Sequence, residues 1–176
     1  FLGPYLFNGV PPDPGVDIFS IYADQRPGDG DMTDSTSNAY KLPVFKTITA
    51  ALCAVGNSLA VDAVPSTGEH ANYPRTALGQ VKYPRKRFFD QIVDTMKRSG
   101  RFVPIFNDKH LSYSFEKAQA MVRASRELDF PMLAGSSLPV GFRMPEMEVP
   151  YGARIKEALA IAGSRSLDSA GLHALE

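Results

Sequence analysis

Short apolar runs bounded by glycine, proline or acidic residues recur along this chain. Runs of this length are typical of β-strands. Four of them are predicted to be strands: residues 16–22, 59–64, 102–106 and 131–134. The run at 102–106 is apolar without a polar alternation, so it is expected to be buried on both faces of a sheet, and 131–134 is expected to be a short buried strand.

Between these runs, apolar residues recur at the spacing of an α-helix. The pattern predicts a short helix from Ile48 that stops at Gly56, and a longer helix over about residues 84–99. Another helix is expected to begin after Ser114, whose hydroxyl is a favourable N-cap. The apolar face of this helix is predicted to contain Phe115, Ala118, Val122, Ser125 and Leu128.

A strand, a helix and a second strand in succession form a parallel crossover. Because this unit repeats, the predicted fold class is a doubly wound, Rossmann-like parallel α/β sheet. A stretch rich in Pro, Glu and Met predicts a boundary, with the Rossmann-like domain in residues 1–143 and a connector and the start of a substrate-side domain in 144–176. One more helix is expected at 153–162. The chain is interpreted as an internal fragment, because it begins at Phe1.

Charge and composition exclude several classes of protein. The formal net charge is zero, which does not fit a general nucleic-acid binder. No apolar run approaches the roughly 20 residues that span a bilayer, so no membrane partner is expected. Cys53 is the only cysteine, so no internal disulfide can form, and a reducing, cytoplasmic location is predicted. Homo-oligomerisation stays open.

The most informative polar residues follow the run at 102–106. Asp108, Lys109 and His110 come directly after it and precede the Ser114 helix start. In an open α/β sheet, the carboxyl ends of the strands are where ligands bind. Lys109 is the first catalytic candidate, because a lysine held there can hydrogen-bond a substrate oxygen that gains or loses a proton. The alternative is an ordinary solvated loop charge.

Two histidines extend this candidate site. His110 is either a proton relay with Lys109 or a polar neighbour, since a histidine with an ordinary pKa takes both protonation states near neutral pH. His70 follows the strand predicted at 59–64 and is therefore expected to face the same cleft, together with Glu69. Ser136, in the small-residue turn after 131–134, allows close approach of a ligand and is not expected to be a nucleophile.

The order of these features resembles the nucleotide-binding domain of the glucose-fructose oxidoreductase, inositol dehydrogenase and rhizopine-type (Gfo/Idh/MocA) family. The counterparts of the family's segments are a strand ending at Asp24 and the stretches 42–52, 62–70 and 105–118. Residues 68–89 resemble more narrowly a bacterial branch of oxidoreductase-like proteins. The chain departs from the family pattern where Asp108, Lys109 and His110 replace Glu-Lys-Pro, and where the first strand and its glycine-rich turn are missing.

The resemblance implies an NAD(P)-dependent oxidoreductase that transfers a hydride to or from a sugar, polyol or related hydroxy compound. The small-molecule substrate would meet Lys109, His110 and His173. His173 is included because 166–176 resembles a family motif with a substrate-side histidine, and the alternative is a histidine on an exposed helix face. NAD or NADP would be the cofactor, with Asp24 on the adenosine ribose. The alternative for Asp24 is the start of a polar turn over residues 25–28. Arg26 can pair with a 2′-phosphate, so both cofactors stay open. The implied cofactor-binding residues are Asp24, Gly68, Glu69, His70, Asp108 and Lys109.

Two other functions are open. One is a non-catalytic Rossmann-like binding or assembly module. The other is a metal-assisted lyase or hydrolase using Glu69, His70, Asp108 and His110, although no compact ligand spacing supports a metal site.

A separate anomaly is the crowding of cations at the start of the helix near residue 84, where the helix dipole disfavours them. The cations are Lys82, Arg85, Lys86 and Arg87. They are expected to pair with Asp90 or another subunit, or else to bind an anion.

Overall fold

The computed structural model describes residues 15–28, 30–54, 56–69, 71–136, 149–161, 171 and 173. In this part of the chain the protein is mixed α/β, with parallel strands in two small sheets. The chain divides into two compact units, Phe1–Val61 and Asp62–Glu176. The domain boundary predicted near residue 144 lies outside the described residues.

The first unit contains a two-stranded sheet and two short helices: β1 Ile21–Tyr22, α1 Thr33–Tyr40, β2 Val44–Phe45 and α2 Ile48–Cys53. β1 and β2 are parallel. The predicted short helix is confirmed as α2, which Thr47 caps by accepting a hydrogen bond from the Ala50 backbone N–H. The strand predicted at 16–22 is much shorter, because Val16 and Phe19 are exposed and only its last two residues pair.

The second unit contains the longer elements: β3 Val64–Ser66, α3 Arg85–Ser99, β4 Ile105–Asp108, α4 Phe115–Glu127 and β5 Met132–Gly135. Its three strands are parallel in the order β3, β4, β5. The register places Val64 opposite Ile105, and Ile105 opposite Met132. The predicted parallel crossovers, with a helix between successive strands, are therefore confirmed, and all three carboxyl ends lie at one edge of this sheet.

One face of the three-stranded sheet carries the core of the second unit. Val64 and Ile105, paired on that face, are buried, whereas Pro65 and Leu133 on the other face are exposed. α3 packs against β3 and α4 and buries an apolar stripe that includes Met96. Leu133 is 69% exposed, so the expectation of a buried strand at 131–134 is wrong. β5 has only one neighbour, β4, among the described strands.

Strand boundaries differ from the sequence prediction at two places. β3 starts at Val64, where the predicted strand was to end, and continues through Pro65. Proline is tolerated here because, among the described strands, β3 pairs with β4 alone and can spare a backbone donor. β4 begins at Ile105, so only the second half of the run at 102–106 is in the strand, and burial alternates along it rather than covering both faces.

Two helix predictions also need correction. Phe115 is exposed, and the buried positions of α4 are Met121 and Ser125. At 100° per residue, Phe115 lies about 100° around the helix from these two residues, which puts it off the covered face. The helix predicted at 153–162 is wrong for 153–161, which are exposed and have no regular secondary structure. A helix of about ten residues without a packing partner is marginal in water.

Candidate active site

The candidate active site lies in the second unit, at the carboxyl ends of its three strands. Glu69 follows β3, Lys109 and His110 follow β4, and Ser136 follows β5. The backbone N–H of Lys109 donates to the carbonyl of Gly135 at 2.8 Å, which ties the turn after β4 to β5. The sequence prediction that polar residues converge at this edge is confirmed for Glu69, Asp108, Lys109 and His110.

Asn107 holds the turn that carries Lys109. Its buried carboxamide lies within 3.2–3.3 Å of the carbonyls of Asp108, Lys109 and His110 and donates to them. Lys109 itself has φ +65°, a left-handed conformation that is unusual for a residue with a side chain. Such outliers cost free energy and concentrate at functional sites. The turn therefore fixes Lys109 in a conformation that the local sequence does not favour.

The ammonium group of Lys109 is held between two carboxylates. Its Nζ lies 2.6 Å from Glu69 Oε2 and 2.9 Å from Asp108 Oδ2, and all three side chains are at least 86% buried. Burial alone lowers the pKa of Lys109, but hydrogen bonds and charge attraction from Glu69 and Asp108 outweigh it and raise the pKa above its ordinary value of 10.5. Lys109 is consequently a fixed, protonated donor at neutral pH.

This pKa shift gives Lys109 a defined effect on stability. Because the pKa is higher in the folded than in the unfolded protein, the stabilisation is fully present below pH 10.5 and is lost as the pH rises through the folded-state value. We expect the difference in free energy of unfolding between wild type and Lys109→Met to shrink as the pH rises above 10.5. Urea titrations at increasing pH measure it. The control is Lys97→Met, an exposed lysine of α3; a Lys109→Met difference that does not change with pH would contradict the assignment.

Glu69 also faces a second buried cation. Arg85, the first residue of α3, has no exposed side-chain surface, and its Nη2 lies 3.7 Å from Glu69 Oε2. The same carboxylate oxygen, Oε2, thus forms ion pairs with both Lys109 and Arg85. Gly68 explains how the chain reaches this position: its φ is +40°, and a Cβ there would lie 3.0 Å from Arg85 Cγ. A larger residue at Gly68 would push the turn away from the arginine stem.

Arg85 connects the acidic side of the site to His110. Its Nη1 donates to His110 Nε2 at 2.7 Å. The guanidinium carbon of Arg85 lies 4.5 Å from the centre of the Tyr83 ring, and the rings of Tyr83 and His110 meet edge to face at 6.0 Å. The side chain of Arg85 is therefore fixed by an ion pair, a hydrogen bond and an aromatic face.

The two carboxylate oxygens of Asp108 differ in their partners. Its Oδ2 binds Lys109, whereas Oδ1 is buried and accepts no hydrogen bond from any residue that the structure describes. A buried carboxylate oxygen without a donor is costly, and such groups in native proteins call for an explanation. A hydroxyl group bound beside Lys109 would satisfy it, since a hydroxyl can donate to Asp108 and accept from the ammonium group.

His173 is brought to the same edge of the sheet by a contact with Ser136. The hydroxyl of Ser136 and Nδ1 of His173 form a hydrogen bond, and Ser136 is buried. Ser136 comes one residue after Gly135, whose carbonyl accepts from the Lys109 N–H. The predicted substrate-side histidine therefore has a defined partner at the end of β5, although its neighbours in the sequence are outside the described residues.

The remaining predicted cofactor residues are distributed differently. Asp24 follows β1 in the first unit and accepts a 2.7 Å hydrogen bond from the Tyr22 hydroxyl. Arg26, expected near a 2′-phosphate, pairs with Asp34 at 2.7 Å. His70 lies outside the described residues, so its predicted position in the cleft stays a prediction.

The four cations near the start of α3 lie in different environments. Lys82 is exposed. Lys86 pairs with Asp90 at 2.5 Å, as expected. Arg87 is exposed and lies over the Phe88 ring at 4.9 Å. Arg85, predicted to pair with Asp90 or to bind an anion, is instead inside the site with Glu69, which corrects that prediction. Arg85 and Asn107 are the two site residues that the sequence reasoning missed, and the only local signal was an arginine where the helix dipole disfavours one.

The described residues contain neither a metal-binding cluster nor a membrane-spanning helix. Within the described ranges, no group of three or more His, Cys, Asp or Glu side chains is arranged to hold a metal ion. None of the helices that the structure describes is long and apolar enough to cross a membrane. No family model, curated protein or solved structure matches this chain.

Proposed function

We propose that this chain is the nucleotide-binding part of an NAD(P)-dependent oxidoreductase that acts on a sugar, a polyol or a related hydroxy compound. The observation that carries the proposal is the state of Lys109: buried, paired with Glu69 and Asp108, and held in a left-handed turn at a strand end. A side chain that is both charged and fixed is suited to one task, the stabilisation of an oxygen atom on which negative charge develops.

The chemistry follows from the donors and acceptors around Lys109. Lysine has three N–H donors, and the carboxylates of Glu69 and Asp108 take two of them. The third can donate to a substrate oxygen, which gains negative charge as a carbonyl accepts a hydride. In the oxidation direction, the alcohol hydroxyl gives its proton to Asp108 Oδ1 and its hydride to the nicotinamide, and in reduction the same carboxyl group returns the proton to the substrate oxygen. The nicotinamide, when bound, supplies or takes up the hydride. Asp108 Oδ1 can accept from a neighbouring hydroxyl, which favours a substrate with more than one hydroxyl group.

The strand order supports a Rossmann-like fold as part of this proposal. A dinucleotide-binding sheet has the order 3-2-1-4-5-6, with every strand parallel. If strand 1 is left out, the remaining strands fall into two groups of neighbours: strands 3 and 2, and strands 4, 5 and 6. The chain has a parallel pair, β1 and β2, followed by a parallel set, β3, β4 and β5, in the matching sequence order. The family's glycine-rich first turn is the part that these residues do not contain.

The proposed cofactor site follows from this correspondence. In such a sheet, the acidic residue after the second strand binds the adenosine ribose, and Asp24 follows β1 in the corresponding place. Its carboxylate has a hydrogen-bond donor in Tyr22, which helps to orient it.

Calorimetry of NADH and NADPH binding tests the cofactor assignment. We expect the natural protein that carries this chain to bind one of them. Asp24→Ala should weaken that binding about tenfold or more, because the loss of a charged hydrogen-bond partner costs about 1.5–3 kcal/mol. The matched control is Asp17→Ala, an exposed aspartate of the same unit. Binding by the natural protein and not by these residues alone would show that these residues do not form the whole cofactor site. No binding of either nucleotide by the natural protein would overturn the proposal.

A further inference from the structure

The contact between Arg85 and His110 fixes the protonation state of the histidine. A guanidinium group has N–H donors and no acceptor. At 2.7 Å from Arg85 Nη1, His110 Nε2 must therefore be the acceptor. An imidazole nitrogen that accepts a hydrogen bond carries no proton, so the single ring proton of His110 is on Nδ1. His110 is neutral in this arrangement.

Arg85 cannot easily turn away to relieve a conflict with His110. Its side chain has no exposed surface and is held from several sides. Glu69, after β3, faces one end of the guanidinium, and the Tyr83 ring, in the segment before α3, covers its face. The turn that carries His110 adds Asp108 and Lys109, which are paired with each other. Among these groups only Glu69 and Asp108 are acidic, and both are already engaged with cations.

We propose that Arg85 is a positioning residue that keeps His110 neutral with its proton on Nδ1, and that this makes the site sensitive to pH. Protonation of His110 would set two cationic N–H donors against each other across one contact, and His110 would have to leave Arg85. Because Asn107 binds the carbonyls of Asp108, Lys109 and His110 together, that movement is transmitted to the Lys109 turn.

The inference changes the role expected of His110. With Nε2 occupied by Arg85, His110 cannot use that nitrogen to take up a proton from Lys109 or from a substrate. Its other ring nitrogen, Nδ1, carries the proton and acts as a hydrogen-bond donor, so His110 does not act as a proton relay. This conclusion rests on the geometry of the second unit and not on the proposed oxidoreductase reaction, so it can fail or hold independently of that proposal.

Nitrogen-15 NMR of the histidine rings tests the proposal without any substrate. The chain has only three histidines, so His70→Gln and His173→Gln variants identify the His110 signals. We expect the Nδ1–H tautomer at pH 7 and a titration midpoint at least about one pH unit below the ordinary value of about 6.5. An Nε2–H tautomer, an imidazolium at pH 7, or a midpoint at the ordinary value would overturn the proposal.

A variant separates positioning from general support of the fold. Arg85→Gln removes the fixed cation and allows the amide oxygen to accept from a protonated ring, so the His110 midpoint should return to within about half a pH unit of 6.5. Arg87→Gln, the exposed arginine two positions away, should leave it unchanged. A folded Arg85→Gln protein with the wild-type midpoint would contradict the role of Arg85. If Arg85→Gln does not fold, the tautomer and midpoint of the wild-type protein decide the question.

Discussion

Replacing Glu69 by glutamine is expected to lower the free energy of unfolding by about 3–5 kcal/mol, the usual cost of removing one partner from a buried ion pair. The carboxylate of Glu69 is 4% exposed and faces two buried cations, at 2.6 Å from Lys109 and 3.7 Å from Arg85. Glutamine has the same size but no charge. The variant would therefore leave two positive groups in the protein interior without the carboxylate that they share, although Lys109 would keep its contact with Asp108.

Urea unfolding followed by tyrosine fluorescence and circular dichroism measures this loss. The matched control is Glu127→Gln, an exposed glutamate in the last turn of α4, which should change stability by less than about 0.5 kcal/mol. A double-mutant cycle adds a second check: Lys109→Met should cost less in the Glu69→Gln background than in wild type, because the cation is then already unpaired. Equal losses for Glu69→Gln and Glu127→Gln would show that the buried ion pairs do not stabilise the fold.

The parts of the fold that the sequence predicted are those set by local chemistry. The Ser114 hydroxyl accepts from the Lys117 N–H and starts α4 where the N-cap signal placed it. Gly100 ends α3 in a left-handed conformation, after a stripe of apolar residues at helical spacing. Strand boundaries were less accurate, because pairing between strands sets them and the sequence of one strand does not show where its neighbour begins.

The candidate site was predicted only in part, because some of its residues are brought together by the strand order and others by contacts between distant segments. Polar residues after successive strands must converge at one edge of a parallel sheet, so Glu69 and Lys109 were expected together. Arg85 was not, because its burial depends on three contacts from other segments: Glu69, His110 and the Tyr83 ring. Asn107 was missed because an asparagine in an apolar strand gives no sign that its amide will bind three successive carbonyls.

Replacement of Lys109 by alanine has the largest effect expected on function. Alanine removes the only proposed donor to the substrate oxygen, and the loss of one fixed donor to a developing negative charge typically lowers the rate by a factor of about 10² to 10³. Substrate binding should change much less, because Asp108 Oδ1 and the rest of the edge remain. The variant is also expected to be less stable than wild type, since Glu69 and Asp108 lose their shared counter-ion. Rates should therefore be compared at a temperature where circular dichroism shows both proteins folded.

The most direct test of the central claim is the rate of NAD(P)-dependent oxidation of a panel of polyols and aldoses by the natural protein, followed by absorbance of the reduced cofactor. The account predicts that wild type oxidises at least one member, that Lys109→Ala lowers the rate at saturating substrate by about 100-fold or more, and that Lys97→Ala has no effect. Oxidation that continues at the wild-type rate in folded Lys109→Ala, or no oxidation of any member by wild type, would contradict it.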